Sequence, residues 1–260
     1  MLDPANGSGH FLVATLLMLV PMRMELEGLD ARTAIDKVLS ENIHGLELDR
    51  RCVELAAFAV ALEAWRYPNA GGYRKLPRLQ IACDGIAPSG KRDEWLCLAR
   101  RAARKQTGEE DKLVVEANDE SLFEENLVRS MGALWDCFQQ APILGSLISP
   151  DLVGNDLWHQ TDYNTLAEVL AEHLDNTTDE EKEASIAAQG IIQAMRLLGR
   201  KYTLVATNVP YLGRGQFSDV LGECCDEHYS RSRADLATVF MERYLKFCQT
   251  PNGFVAIVLP

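Results

Sequence analysis

No C-x-x-C pair, no His at zinc-finger spacing and no apolar run long enough to cross a bilayer occurs in the 260 residues. The seven Cys residues are scattered along a chain large enough to fold without staples, so a disulfide framework or a structural zinc site is not expected. They read as reduced, cytoplasmic thiols. The longest apolar run, from Phe11 to Val20, has no basic stretch before it and spans about half of what a membrane helix requires, so it reads as a buried helix rather than a signal or anchor. Positive charge is also scarce. Lys and Arg total 26 against 38 Asp and Glu, a formal net charge of -12, which opposes non-specific attraction to phosphate backbones.

Hydrophobic residues, 47% of the chain, are spread over alternating element types. A loop punctuated by Pro4, Gly7 and Gly9 leads into an apolar helix, the segment IHGLELD reads as a buried strand, CVELAAFAVALEAWRY as a helix and RLQIACDG as another strand. This order predicts an α/β fold with a largely parallel sheet, and such sheets bind ligands beyond the carboxyl ends of their strands. Between about 93 and 200 the alternation stops, and four amphipathic helices are expected, one of them over 162–176. The strand pattern returns at YTLVATN, followed by a Gly-rich loop, a polar stretch to Ser232, the helix DLATVFMERYLKFC and, after an Asn252-Gly253 turn, the strand Phe254 to Leu259. The expected organisation is a first half-domain over 1–92, a mainly helical insertion over 93–200 and a second half-domain over 201–260. Only Met1 and Leu2 precede Asp3, and the last apparent strand reaches Leu259, so an incomplete sheet within a larger polypeptide is expected.

Four short segments carry chemistry. DPANGSG, residues 3 to 9, is a Gly-containing turn between a strand and a helix, where backbone amides can face a ligand; it lacks the G-x-G-x-x-G spacing of dinucleotide sites. Glu47 closes the next strand, where a carboxylate can accept from both hydroxyls of a ribose. Asp49 follows as a helix N-cap. Asp84 ends the third strand. Asn208, Val209, Pro210 and Tyr211 follow the strand YTLVAT and combine an amide acceptor, a stiffened backbone and a flat ring, a set suited to a planar substrate bearing an amine.

Taken in this order, DPANGSG, Glu47, Asp84 and NVPY resemble the motifs of the S-adenosylmethionine-dependent DNA adenine methyltransferases with an N-P-P-Y motif, in particular the large restriction-modification and phage-exclusion enzymes. The resemblance covers residues 1 to 92 and 201 to 260 and implies a Rossmann-like methyltransferase sheet. It implies that Asp3, Pro4, Asn6, Gly7 and Gly9 shape the loop under the methionine part of the cofactor and that Glu47 holds the ribose. Asp84 would accept from the adenine amine, with Ile86 packing on that ring. His10 stands at a variable position and is assigned no role. Asn208 and the Val209 carbonyl would accept from the target amine, Pro210 would stiffen the turn and Tyr211 would stack on a flipped adenine of DNA. No metal is required. Val209 departs from the usual Pro, yet it still supplies a main-chain carbonyl, and its place before Pro210 keeps it extended.

Other readings remain open on sequence alone. Protein-glutamine methyltransferases use the same motif on a side-chain amide, and a non-catalytic subunit could retain the fold without turnover. The basic residues Lys91, Arg92, Arg100, Arg101, Arg104 and Lys105 read as a solvated helix face rather than a DNA surface, and the acidic run Glu168 to Glu183 as solvent-facing. Arg214 is better placed, by adjacency to NVPY. A target-recognition region is not visible in the chain and is expected to lie outside it.

Overall fold

The computed structural model describes residues 1–107, 119–149, 179–249 and 251–259. The chain divides into two compact units, the first formed by Met1–Gly85, Ile143–Leu147 and Arg200–Pro260, the second by Ile86–Pro142 and Ile148–Gly199. The second unit thus separates two parts of the first, and the chain re-enters the first unit for five residues on the way.

The first unit is built on a five-stranded parallel sheet. In chain order the strands are β1 (Leu2–Asp3), β2 (His44–Glu47), β3 (Gln80–Cys83), β4 (Leu204–Asn208) and β5 (Phe254–Val258), and in space they lie β3-β2-β1-β4-β5. Leu2 sits between two neighbours, paired with His44 on one side and Val205 on the other. Parallel neighbours need crossovers, and helices supply them: α1 (His10–Glu27) and α2 (Ala31–Lys37), the latter continued by a π turn, join β1 to β2, and α3 (Arg50–Arg66) joins β2 to β3. The chain steps outward from β1 through β2 to β3, then returns to the far side of β1. The order therefore reverses between β1 and β4, which opens a crevice at their carboxyl ends. This is the Rossmann-like α/β arrangement expected from the sequence.

One stripe of α1, Leu12, Leu16 and Val20, is wholly buried and packs with Ile35, Leu39, Ile43 and Val60. Burying each such side chain contributes about 1.5–3 kcal/mol. The expectation of a buried helix holds for that stripe alone. Met18, Met22 and Leu26 are exposed, because α2, its π turn and α3 cover only one side of a helix that is apolar all round. Gly9 precedes α1 with φ +87°, and a Cβ there would lie 2.9 Å from Cα and Cβ of Ala56 on α3. Loop and helix can meet this closely only at a glycine. Asp49 caps α3 as expected, its side chain accepting from the Arg51 amide at 2.9 Å.

In the second unit, α4 (Arg92–Thr107), α5 (Asp119–Phe138) and α7 (Asp179–Leu198) bury Trp95, Leu98, Leu127, Met131, Leu134, Ile191 and Met195. Arg92 does not present a free basic face. It grips Asp136 of α5 with two parallel hydrogen bonds of 3.0 and 2.9 Å. Between α5 and α7 comes α6 (Ala141–Leu144), which runs into a 3-10 turn over Gly145–Leu147. The helix expected over 162–176 and the side chains of the acidic run lie outside the described residues. After β4 the first unit resumes with α8 (Asp219–His228) and α9 (Leu236–Phe247). The stretch before Ser232, taken from sequence as merely polar, contains α8: Ser218 caps it, accepting from the Leu221 amide at 3.3 Å, and Leu221 and Cys225 are its buried positions. Two buried residues were too sparse a stripe to register as helical periodicity. No helix among the described residues is long and apolar enough to cross a membrane.

Candidate active site

All four sequence motifs end at the same rim of the sheet. Asp3 closes β1, Glu47 closes β2, Asp84 follows β3 and Asn208 closes β4. Beside this rim lies a cavity of about 510 Å³, within the usual size of a small-molecule site. Pro4, Ala5, Glu47, Asp84 and the whole of Asn208–Tyr211 line it.

The loop from Asp3 to Gly9 is tied to β2 rather than merely adjacent to it. The Asn6 amide donates to the Leu46 carbonyl at 3.0 Å, and the Gly7 amide donates to Glu47 Oε2 at 2.7 Å. Glu47 Oε1 in turn accepts from the Asp49 amide at 3.1 Å. Glu47 thereby joins the turn before α1 to the turn before α3 while still facing the cavity. Asp3 is fully buried, and its Oδ1 accepts from the Ala5 amide at 3.3 Å. Burial pushes its carboxyl up to about 6, against the opposing pull of the Thr207 hydroxyl and the Ala5 amide, with the Glu47 charge adding a little.

Asp84 is more extreme. It is 1% exposed, both of its carboxyl oxygens lack a hydrogen-bond partner, and burial with the nearby Glu47 charge pushes it up to about 8. Buried polar atoms left unpaired cost about 1–3 kcal/mol each, so the Asp84 carboxyl, which lines the cavity, is an acceptor prepared for a ligand's donor, whereas the equally unpaired Asn6 Oδ1 lies against Gly45 of β2 and outside the cavity lining. Among the described residues no group of three or more His, Cys, Asp or Glu side chains is arranged to hold a metal ion.

At the opposite wall, Asn208 and Tyr211 are exposed and Val209 is buried. The Tyr211 hydroxyl is 3.2 Å from Asn208 Oδ1 and 3.0 Å from the Val258 carbonyl on β5. His10 begins α1, its Nδ1 3.1 Å from the Ser8 hydroxyl. Ile86 opens the second unit, where it lies against Gly190. Arg214 is held by Asp226 at 2.5 Å, and Asp226 also pairs with Arg233.

Residues 41–260 fit the Eco57I restriction-modification methylase family. The chain belongs to this family. Across 263 residues this family member is 26% identical to the adenine-specific methyltransferase PglX of Lacticaseibacillus casei (strain Zhang), covering 98% of this chain and 19% of that protein. It is 28% identical over 266 residues to the adenine-specific methyltransferase BrxX of Escherichia coli O9:H4 (strain HS), covering 99% of this chain and 21% of that protein. The chain spans about a fifth of the length of these two relatives.

Three parts of the cavity lining were not read from the sequence. Leu48 follows Glu47; Leu221, Leu236 and Phe240 come from α8 and α9; and Ile143–Leu147 is the five-residue return from the second unit. The first two sit in segments whose apolar residues signalled packing, not ligand contact. The third is one helical turn long, too short to show periodicity.

Proposed function

We propose that the chain carries the catalytic part of an adenine-specific DNA methyltransferase, with S-adenosylmethionine in the cavity at the sheet rim and a flipped adenine at Asn208–Tyr211. The observation that carries this reading is that one cavity gathers Glu47, Asp84 and Asn208 from the carboxyl ends of three strands and their following turns.

The residues present fit this donor. Glu47 retains lone pairs for two ribose hydroxyls, Asp84 offers two unpaired oxygens to an adenine amine, and the turn from Asp3 to Gly9 is fixed against β2. Pro4, Asn6, Gly7 and Gly9 are assigned to that turn, whereas Ile86 belongs to the second unit, does not line the cavity and is given no part in holding the purine. Bound there, the cofactor supplies a methyl group made electrophilic by its sulfonium.

The exocyclic amine of adenine is a poor nucleophile, since its lone pair is delocalised into the ring, and its nitrogen gains positive charge as it takes the methyl. Asn208 Oδ1 and the Val209 carbonyl each accept one N–H, and both bonds strengthen as charge develops. Pro210 stiffens the backbone between these acceptors and Tyr211, which stacks on the extruded base. Val209 supports the reading despite its side chain, because the acceptor is a main-chain oxygen. The DNA partner must be engaged by a region that reads base edges, which this reading assigns to polypeptide outside the chain.

Adenine is favoured over a glutamine amide as acceptor by the names of both relatives. Incubation with methyl-labelled cofactor and either unmethylated DNA or a glutamine-bearing protein substrate decides between them. Label recovered in N6-methyladenine is the expected outcome. Label in protein would replace the proposed substrate, and cofactor binding without transfer to either would favour a non-catalytic subunit.

A further inference from the structure

The chain leaves the first unit at Gly85 and returns at Arg200, except for Ile143–Leu147. These five residues line the cavity, and the first unit holds them firmly. The buried Arg243 donates from Nε to the Ser146 carbonyl at 3.0 Å, the buried Tyr229 hydroxyl donates to the Leu147 carbonyl at 3.3 Å, and the Ser146 and Tyr244 hydroxyls lie 3.4 Å apart. An otherwise plain turn is thus fixed by three side chains from α9 and the end of α8.

What this fixation positions is Gly145. Its φ is +48°, and a Cβ built on it would lie 2.9 Å from Leu48 Cδ1 and 3.4 Å from Asp84 Oδ1. A side chain at 145 would therefore stand where a hydrogen-bond donor must approach the Asp84 carboxyl, which needs about 2.7–3.2 Å. Asp84 is the buried acceptor of the cavity with both oxygens unpaired. Ile143 and Leu144 present apolar surface on the same strap, suited to the face of a flat ring.

We propose that Gly145 is a specificity-determining position of the donor pocket, keeping the approach to Asp84 open for the 6-amino group of the cofactor's purine while the strap Ile143–Leu147 walls the ring. This inference rests on the reading that the cavity binds S-adenosylmethionine. Above about pH 8, where Asp84 is ionised and can only accept, a 6-oxo purine offers it no amino donor and is discriminated against, so the two purines are compared at a pH above that value. The strap belongs to none of the four strand-end motifs, so it adds a sequence-remote contributor to cofactor choice.

The test is calorimetric binding of S-adenosylhomocysteine and its 6-oxo counterpart, S-inosylhomocysteine, to the 260-residue chain and to Gly145→Ala, Gly145→Asn and Ile143→Ala. The parent chain is expected to prefer the amino compound by about tenfold or more, the worth of one hydrogen bond of about 1.4 kcal/mol. Both Gly145 variants should lose most of that preference, the amino compound weakening far more than the oxo compound. Asn tolerates a positive φ, so Gly145→Asn separates blockage from backbone strain. Ile143→Ala should weaken both ligands alike. Equal losses for both ligands in the Gly145 variants would reduce the glycine to a backbone requirement and overturn the inference, as would unchanged binding. Failure of the parent chain to bind either compound would instead remove the donor reading, and the inference with it. Should both Gly145 variants fail to fold, photolabelling of the parent chain with the 2-azidoadenosyl analogue of the product decides: label in the peptide containing Ile143–Leu147 is expected, and label confined to other peptides overturns the proposal.

Discussion

The Tyr211 hydroxyl reaches both Asn208 Oδ1, at 3.2 Å, and the Val258 carbonyl, at 3.0 Å. A phenol has one proton to donate, so it can satisfy only one of these acceptors at a time. On the proposed reading Tyr211 stands beside the oxygen assigned to the target amine. Asn208 Oδ1 has two lone pairs, and when the hydroxyl turns to the Val258 carbonyl both are left to the entering base.

Variants at these two positions should separate in kinetics. Asn208→Ala removes an acceptor whose bond strengthens in the transition state, worth about 1.5–3 kcal/mol, so kcat should fall about 10- to 150-fold while cofactor affinity stays within a few-fold. Tyr211→Phe keeps the ring and removes the competing donor, so transfer should stay within a few-fold of the parent. Tyr211→Ala loses stacking worth about 1–3 kcal/mol and should weaken binding of DNA with an extruded base. Single-turnover methylation and anisotropy titrations give the two quantities. Parental turnover in Asn208→Ala would remove its assigned role.

Glu47 accepts from two backbone amides, Gly7 through one oxygen and Asp49 through the other. Glu47→Gln keeps the shape but sets an NH2 against one of those N–H groups. The expected result is a loss of about 1–3 kcal/mol in unfolding free energy, together with weaker binding of S-adenosylhomocysteine. Denaturant titration and calorimetry read the two effects separately, and a variant with parental stability would show that the carboxylate does not tie these turns.

The buried Asp84 should make the protein less stable as pH rises. Unfolded, its carboxyl ionises near pH 4; folded, burial and the Glu47 charge hold that ionisation to about 8. Between these values the folded chain retains a proton that the unfolded chain has released, so stability is drained with increasing pH. Asp3, at about 6, acts in the same direction over a narrower window, whereas the buried His44, lowered to about 4 by burial and Arg200, acts in the opposite one below about pH 6.5. Asp84→Asn removes only the first effect. Thermal melts from pH 5 to 8 should show the parent losing more stability than the variant; parallel curves would contradict the assignment.

Gly9→Ala should be costly for two reasons that act together. The left-handed φ penalises any L side chain by about 1–2 kcal/mol, and the added methyl meets the Ala56 backbone at 2.9 Å. A drop in Tm well beyond that of Gly7→Ala is expected, because Gly7 shares the positive φ, at +51°, but has open space around it.

The alternation of strand and helix, the cap at Asp49 and the residue types at the strand ends were legible in the amino-acid order, because each depends on neighbours a few positions away. So were the residue types that the proposed amine grip calls on, an amide oxygen, a proline and a flat ring in succession. What the linear order did not contain is which distant groups share one space. Leu2 between His44 and Val205, Glu47 against Gly7, and Gly145 against Asp84 are contacts across 40 to 200 positions. Burial is equally non-local. Asp84 looks like a turn residue in CDG and becomes an unpaired acid, its ionisation pushed up by burial, only once Leu48, Gly145 and Glu47 are folded around it. Local hydrogen bonds and side-chain periodicity thus determined the elements and their chemistry, while the cavity, its strap and its shifted carboxyls followed from tertiary packing, which alone sets distance and solvent exclusion between remote residues.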